Sequence, residues 1–472
     1  MFIRPTVMKF GGTSVEDAGA FARVAEIVAI RRSSRPVVVV SAMSGMTDAL
    51  LRSVRKAGNG DPKGAAASLE EHFARHVRVA ESLPIEFREE LLPTIHARRE
   101  EIAVLLDAIA SQGAATPALT DAVLSYGEQL SSMLLAAVLR ARGLAACQVD
   151  ARSCIITDDE HGGAAPLLKE TFQCSAARLG PLITESTVPV LGGFVGATVS
   201  GVTTTIGRGG SDYTASLVGA ALEANEIQIW TDVTGVLTAD PRIVPGARTI
   251  PRLSYAEAAE LAYFGAKVLH PKTIQPAVEG EIPVRICNSR APDEAGTLVC
   301  AESEAAEHTV KAIAHKSGVT TVQITSARML GAYGFLRALF AVFEKHRTIV
   351  DVVTTSEVSV SLSLDDASAL DAIVADLSQF GIVRVETGRA IICVVGEGLR
   401  GTPGIAARVF STISDINVTL ISQGASSINL TFAIEEAHVN IAVMRLHEAF
   451  FDASNVQPPG SSSGTERHTV LA

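Results

Sequence analysis

A chain of 472 residues exceeds what one hydrophobic core organises, so about three domains are expected. Its net charge of −11, from 40 Lys and Arg against 51 Asp and Glu, leaves no basic footprint for nucleic acid or a membrane surface. Apolar content of 47% with only 5% aromatic suits parallel sheets covered by helices. Six scattered cysteines, with no C-x-x-C and no metal-ligand spacing, are expected to be reduced and mostly buried. No secretory pattern opens the chain and no apolar run approaches about 18 residues, so a cytoplasmic protein is expected.

The strand 6–10 (TVMKF) leads into a helix over 14–33, with Thr13 or Ser14 as its cap, and then into the strand PVVVVSA at 36–42. Strand, helix and strand within this span make a βαβ unit, hence a parallel sheet with a right-handed crossover. Charged and apolar residues alternate at helical spacing over 64–112, predicting a helical pair on the sheet's edge. A helix at 121–142, strands at 146–149 and 188–191, and the glycine run 192–196 follow. Then come a helix at 211–224, a strand at 227–231, helices at 254–264 and 273–279, and a strand at 284–287. Polar, small residues at 301–304 mark a linker.

Beyond the linker the chain repeats. A shift of 70 residues lays Gly334 on Gly404, Phe340 on Phe410, Ser356 on Ser426, Val360 on Leu430 and Leu362 on Phe432. That period is too long for a solenoid and fits two ferredoxin-like βαββαβ modules. The strand 311–316 abuts 320–325 and completes the second copy's sheet. From 454 on, the Pro/Gly/Ser-rich composition predicts a disordered tail.

Two glycine strings carry the strongest chemical signal: Lys9-Phe10-Gly11-Gly12-Thr13-Ser14 and Gly207-Arg208-Gly209-Gly210-Ser211-Asp212. Each sets a charged side chain beside consecutive glycines at a strand-to-helix junction. Backbone amides approach a phosphate only where side chains are absent, and a helix N-terminus adds favourable partial charge. Lys9 ends an apolar strand, where a bound anion would offset the cost of an unpaired ammonium; it precedes its glycines, so this is not a Walker A loop. The planar fork of Arg208 suits a carboxylate or phosphate. Taken alone, Asp212 is a helix-capping acid and Glu128, in Ser125-Tyr126-Gly127-Glu128, a helix-face acid. Thr231-Asp232 ends a strand, where open α/β sheets place ligands. Asp240-Pro241-Arg242 is a turn, Lys267 a helix-end lysine and His270 structural.

Taken together, KFGGTS (9–14), SYGE (125–128), TTTIGRGGSDYTA (203–215), WTDVTGV (230–236), DPR (240–242) and FGAKVLHP (264–271) resemble the aspartate kinases of the amino-acid-kinase family, in order and in spacing. MLGAYGFL (329–336) and VDVVTTSEVSVSL (350–362) resemble the regulatory ACT domains of the monofunctional, lysine-sensitive type. The resemblance covers about residues 6–450. It implies an amino-acid-kinase domain over 1–300, a first ACT domain over 317–390, and a second over 391–453 with the strand 309–316. The implied fold class is α/β, a mostly parallel sheet sandwiched by helices and followed by the two ferredoxin-like modules.

The resemblance also implies residue roles. Lys9 would contact the transferring phosphate, with the amides of Gly11 and Gly12, and Asp212 would organise that lysine. Thr47, Glu128 and Arg208, with Gly209, Gly210 and Ser211, would hold aspartate. Thr231, Asp232, Leu237, Arg242 and Lys267 would line the nucleotide site; Leu237 stands where the family often has tyrosine. The effector site would comprise Met329, Ala332, Phe335, Leu336, Ile349, Val350, Asp351, Thr355, Ser356 and Glu357. Serines are common in lysine-sensitive relatives where Ala332 and Ile349 stand, so another aspartate-family amino acid is a second candidate effector.

The implied reaction transfers the ATP γ-phosphoryl group to the β-carboxylate of L-aspartate, the first step of lysine, threonine and methionine biosynthesis. ATP would enter with Mg²⁺ held mainly by its phosphates and water, so no protein metal cage is expected. A homodimer or tetramer through the ACT domains is expected, since edge strands of such modules pair readily. The alternatives are a kinase for glutamate or acetylglutamate, and an amino-acid sensor without activity; the intact Lys9, Arg208 and Asp212 argue against the sensor. No domain-length segment follows the repeat, which argues against a homoserine dehydrogenase fusion.

Overall fold

The computed structural model describes residues 4–265, 269–301, 309–424 and 426–452. Lys267, most of the 301–304 linker and the 454–472 tail lie outside them. The chain divides into two units, Met1–Val236 with Thr249–Glu304, and Leu237–Arg248 with Ala305–Ala472. The class is the expected one: a large, mostly parallel sheet with helices, and a second unit of ferredoxin-like modules.

The first unit is built on an eight-stranded sheet. Its strands lie in the order Ala146–Val149, Val188–Gly192, Pro36–Val40, Thr6–Phe10, Glu226–Thr231, Val284–Asn288, Thr297–Cys300 and Arg252–Ser254. The first six run parallel, so their C-terminal ends share one edge. Thr297–Cys300 turns antiparallel to Val284–Asn288. Val37 to Val40 are completely buried, as β-branched residues of a central strand covered on both faces should be. Each such side chain contributes roughly 1.5–3 kcal/mol through burial.

The helical region differs from the expected pair. Residues 62–112 form three helices, Pro62–Ala67, Glu70–Glu81 and Ile85–Gln112, and the last packs on other helices rather than on the sheet's edge. A further helix, Met46–Gly58, opens at Gly45, whose φ of +79° favours glycine. Another, Leu168–Thr184, precedes the strand Val188–Gly192. The helix Pro117–Ala141 is long and apolar enough to cross a membrane, but 78% of its apolar window is buried inside the fold, so it is a core helix. A small three-stranded sheet of Ile156–Thr157, Val195–Thr198 and Thr203–Thr205 also belongs to this unit.

The second unit has one six-stranded antiparallel sheet. Both repeat copies share it, because Val310–Thr325 and Ile382–Gly396 each run through the two halves. The segment 311–316 is thus continuous with 320–325, and its pairing shifts register between Lys316 and Val319. The 70-residue repeat is visible in the backbone: Gly318 and Gly388 have φ of +74° and +65°, and Gly334 and Gly404 cap equivalent helices at +80° and +85°. Residues 237–248 pack here, although they lie within the 1–300 span of the expected kinase domain. Ala239 and Val244 join the second copy's core, and Thr238 meets His447 at 2.9 Å.

Candidate active site

Loops leaving the parallel strands are tied together at their shared edge. Ser41 donates to the Phe10 carbonyl at 3.0 Å, Gly193 to Val40 at 2.9 Å and Ser44 to Gly12 at 3.2 Å. Such close approach requires glycine: a Cβ on Gly193 would lie 2.6 Å from the Ser211 backbone, and one on Gly12 would lie 2.9 Å from the Ala42 carbonyl. Gly207 and Gly209, with φ of +78° and +73°, turn the chain sharply around Arg208.

These loops enclose a cleft of about 1020 Å³. Of the residues singled out in the sequence, it gathers Lys9, Gly12, Thr47, Glu128, Arg208, Gly209, Gly210, Ser211 and Asp212. Lys9 is 9% exposed, and its Nζ lies 2.7 Å from Oδ1 of Asp212, in the first turn of the helix Gly210–Ala221. No side chain caps this helix; Asp212 instead holds an ammonium at the mouth of the sheet. Arg208 is exposed and makes no ion pair among the described residues.

Glu128 is 3% exposed on the helix Pro117–Ala141. Its Oε2 is buried with no hydrogen-bond partner among the described residues. Burial pushes its carboxyl up to about 8, against a smaller opposing pull from the Ala42 amide. Gly192 makes room for it, because a Cβ there would lie 2.9 Å from the Glu128 Cβ. The sequence suggested a helix-face acid, whereas the fold makes Glu128 a buried acceptor facing a cleft.

The remaining candidates fall elsewhere. Gly11 is partly buried, and its amide donates to Trp230 at 3.0 Å, so it supplies space rather than a free donor. Thr231 and Asp232 end the adjacent strand without lining this cleft; the Thr231 hydroxyl donates to Asp232 at 3.1 Å. Leu237 and Arg242 belong to the second unit. There the Arg242 guanidinium grips Asp240 through contacts of 3.0, 3.1 and 2.6 Å, which holds the Asp240 carboxyl below its ordinary range.

The cleft also contains a residue that sequence reasoning missed. Asp121 is completely buried two turns before Glu128 on the same helix face, accepting from Thr205 at 2.6 Å, His161 at 3.0 Å and Gly162 at 3.0 Å. Its only sequence signal is its spacing of two helical turns from Glu128.

In the second unit, Met329, Phe335 and Val350 pack against the first copy's core. Ala332, Leu336, Ile349, Thr355, Ser356 and Glu357 are exposed. The Asp351 side chain is 2% exposed and 3.4 Å from Lys316 Nζ, which also pairs with Asp365. Burial and the neighbouring Asp365 carboxylate raise the Asp351 carboxyl above its ordinary range.

The model of the amino acid kinase family matches residues 4–288, and that of an ACT domain matches 392–450. Aspartokinase 1, chloroplastic, of Arabidopsis thaliana is 39% identical over 467 residues, covering 95% of this chain and 81% of the relative. Lysine-sensitive aspartokinase 3 of Escherichia coli is 38% identical over 454 residues, covering 94% of this chain and 99% of the relative. Among solved structures, E. coli aspartokinase III in complex with aspartate and ADP (R-state) superposes with a TM-score of 0.80 at 38% identity, covering 95% of this chain and all of that one. The same enzyme in complex with lysine and aspartate (T-state) gives 0.79 at 38% identity, with the same coverage.

Proposed function

The chain belongs to the aspartokinases, which transfer the γ-phosphoryl group of ATP to the β-carboxylate of L-aspartate, and we propose that Lys9, Arg208 and Glu128 divide this work in its cleft. The acceptor carboxylate has an ordinary pKa near 4 and is already ionised, so no general base is required. The obstacle is repulsion between two anions, together with the need for in-line approach. Lys9 meets the transferring phosphate and is kept charged and aimed by Asp212. Glu128 receives the substrate's α-ammonium, and Arg208 and Thr47 receive its α-carboxylate. A β-carboxylate oxygen then forms the new bond to γ-phosphorus as the bond to the β-phosphate bridging oxygen breaks, leaving 4-phospho-L-aspartate and ADP. The observation that carries this assignment is the pairing, in one cleft, of a buried ammonium at a strand end with a buried carboxylate whose Oε2 has no partner among the described residues.

No group of three or more His, Cys, Asp or Glu among the described residues is arranged to hold a metal ion. Mg²⁺ would be carried mainly by the ATP phosphates and water, and the exposed Asp232 would be the side chain to meet its water shell. Bound there, Mg²⁺ would neutralise phosphate charge. Thr231, Asp232 and Lys267 complete the proposed nucleotide-binding set. All six cysteines are thiols rather than disulfides, which supports placing the enzyme in the cytoplasm. Exposed Leu330, Tyr333 and Ile349 on the second unit support a homodimer or tetramer formed there.

Aspartate-dependent ADP release tests this function. It is expected with aspartate, not with glutamate or N-acetylglutamate, and to be lost on chelation by EDTA. Equal turnover of glutamate would contradict the proposed substrate.

Lysine is the effector we propose, bound by the first ACT copy. Asp351 is the carboxylate suited to its ε-ammonium, but Lys316 already occupies it. An effector must therefore displace an internal ammonium. Lys316→Ala is expected to lower the half-inhibiting lysine concentration by about tenfold. An unchanged inhibition curve would remove Asp351 from the effector site.

A further inference from the structure

We propose that Asp121 is a positioning residue that sets the separation between the two groups gripping the amino-acid substrate. The proposal rests on the assignment of Glu128 and Arg208 to aspartate's α-ammonium and α-carboxylate. Asp121 and Glu128 lie seven residues apart on the helix Pro117–Ala141, two turns along the same face, and both line the cleft. Thr205 ends the short strand that runs into Gly207-Arg208-Gly209. Its hydroxyl donates to Asp121 Oδ1 at 2.6 Å, which ties the Glu128 helix to the Arg208 loop directly.

The second oxygen of Asp121 holds the segment between them. Oδ2 accepts from the His161 ring at 3.0 Å and from the Gly162 amide at 3.0 Å. The same segment donates from the Ala164 amide to the Thr205 carbonyl at 2.9 Å. A Cβ on Gly207 would lie 3.7 Å from the Gly163 backbone, so this segment packs directly beneath the arginine turn. Three pieces of chain converge on one carboxylate that is 0% exposed.

Asp121 is not itself the ammonium site. Both of its oxygens are engaged by protein donors, whereas Oε2 of Glu128 has none among the described residues. A recognition site for an α-amino acid must hold its cationic and anionic receptors at one fixed spacing. A helix carboxylate held on both oxygens by donors from a loop and a strand supplies that rigidity, because removing one buried partner strands the others.

The test is steady-state kinetics of full-length Asp121→Asn and Thr205→Val with aspartate and with ATP. Asn keeps the shape but presents an amide donor where donors already point. Asp121→Asn is expected to raise the KM for aspartate about tenfold or more, and Thr205→Val, which removes only the strand link, about threefold. The KM for ATP stays within about twofold in both. A folded Asp121→Asn with unchanged aspartate KM, or with both KM values raised equally, overturns the positioning role. If Asp121→Asn fails to fold, Thr205→Val decides by the same criteria. Failure of the wild-type chain to turn over aspartate would instead remove the underlying assignment.

Discussion

Lys9→Ala is expected to lower kcat by about a hundredfold to a thousandfold while leaving the KM for aspartate near its wild-type value. The range is that for removing one preorganised charge-stabilising donor from a site where charge is transferred. Lys9 sits at the C-terminal end of a central strand, 9% exposed, with its Nζ 2.7 Å from Asp212. A positive charge so placed favours the dispersed negative charge of the transferring phosphoryl group more than it favours bound aspartate. Removing it leaves the Asp212 carboxylate without its cation, so some loss of stability accompanies the kinetic effect. Circular dichroism melts separate the two. Wild-type turnover by folded Lys9→Ala would show that this ammonium does not serve phosphoryl transfer.

Glu128→Gln is expected to raise the KM for aspartate about a hundredfold, the scale of losing one partner of a buried ion pair, with a smaller change in kcat. Its pH dependence gives a second, independent readout. In the folded chain the Glu128 carboxyl is pushed up to about 8 by burial, from an ordinary value of 4.5. The folded state therefore keeps a proton that the unfolded state releases. Below the unfolded value both states are protonated and nothing is lost. As pH rises through the window from 4.5 to about 8, the wild-type chain loses stability. Glu128→Gln lacks this loss, so its Tm should exceed the wild-type Tm at pH 8 to 9. Aspartate, by supplying an ammonium, favours the ionised form. The wild-type KM for aspartate should therefore fall as pH rises toward about 8, and that slope should vanish in Glu128→Gln. A glutamate costly to the empty fold yet needed for substrate is the pattern of a binding group. Parallel pH profiles in the two proteins would contradict the assignment.

The parts of the fold that could be read from sequence were those whose local pattern and tertiary role agree. Pro36–Val40 is apolar at every position because it is buried on both faces, and the two glycine strings lie where strands end. The helix Met46–Gly58 buries Met46, Ala49, Leu50, Ser53, Val54 and Ala57 at helical spacing, but it opens on a left-handed glycine with no side-chain cap, so its onset resembles a turn. The strands Ile156–Thr157 and Thr203–Thr205 are too short for an alternation to register. Asp121 and Lys316 escaped because their roles come from distant partners: Thr205 lies 84 residues from Asp121, and Asp351 lies 35 from Lys316. The attachment of 237–248 to the second unit was equally hidden. It depends on Thr238 meeting His447, 209 residues away, and on a backbone bond from Ile313 to Thr238.

A crystal structure of the chain with ADP and aspartate bound tests most directly the seating of both anions in the Lys9–Arg208 cleft. The terminal phosphate is expected within hydrogen-bond reach of Lys9, with the aspartate α-ammonium on Glu128 and its α-carboxylate on Arg208. Nucleotide bound away from Lys9, or aspartate away from Arg208, would contradict the account.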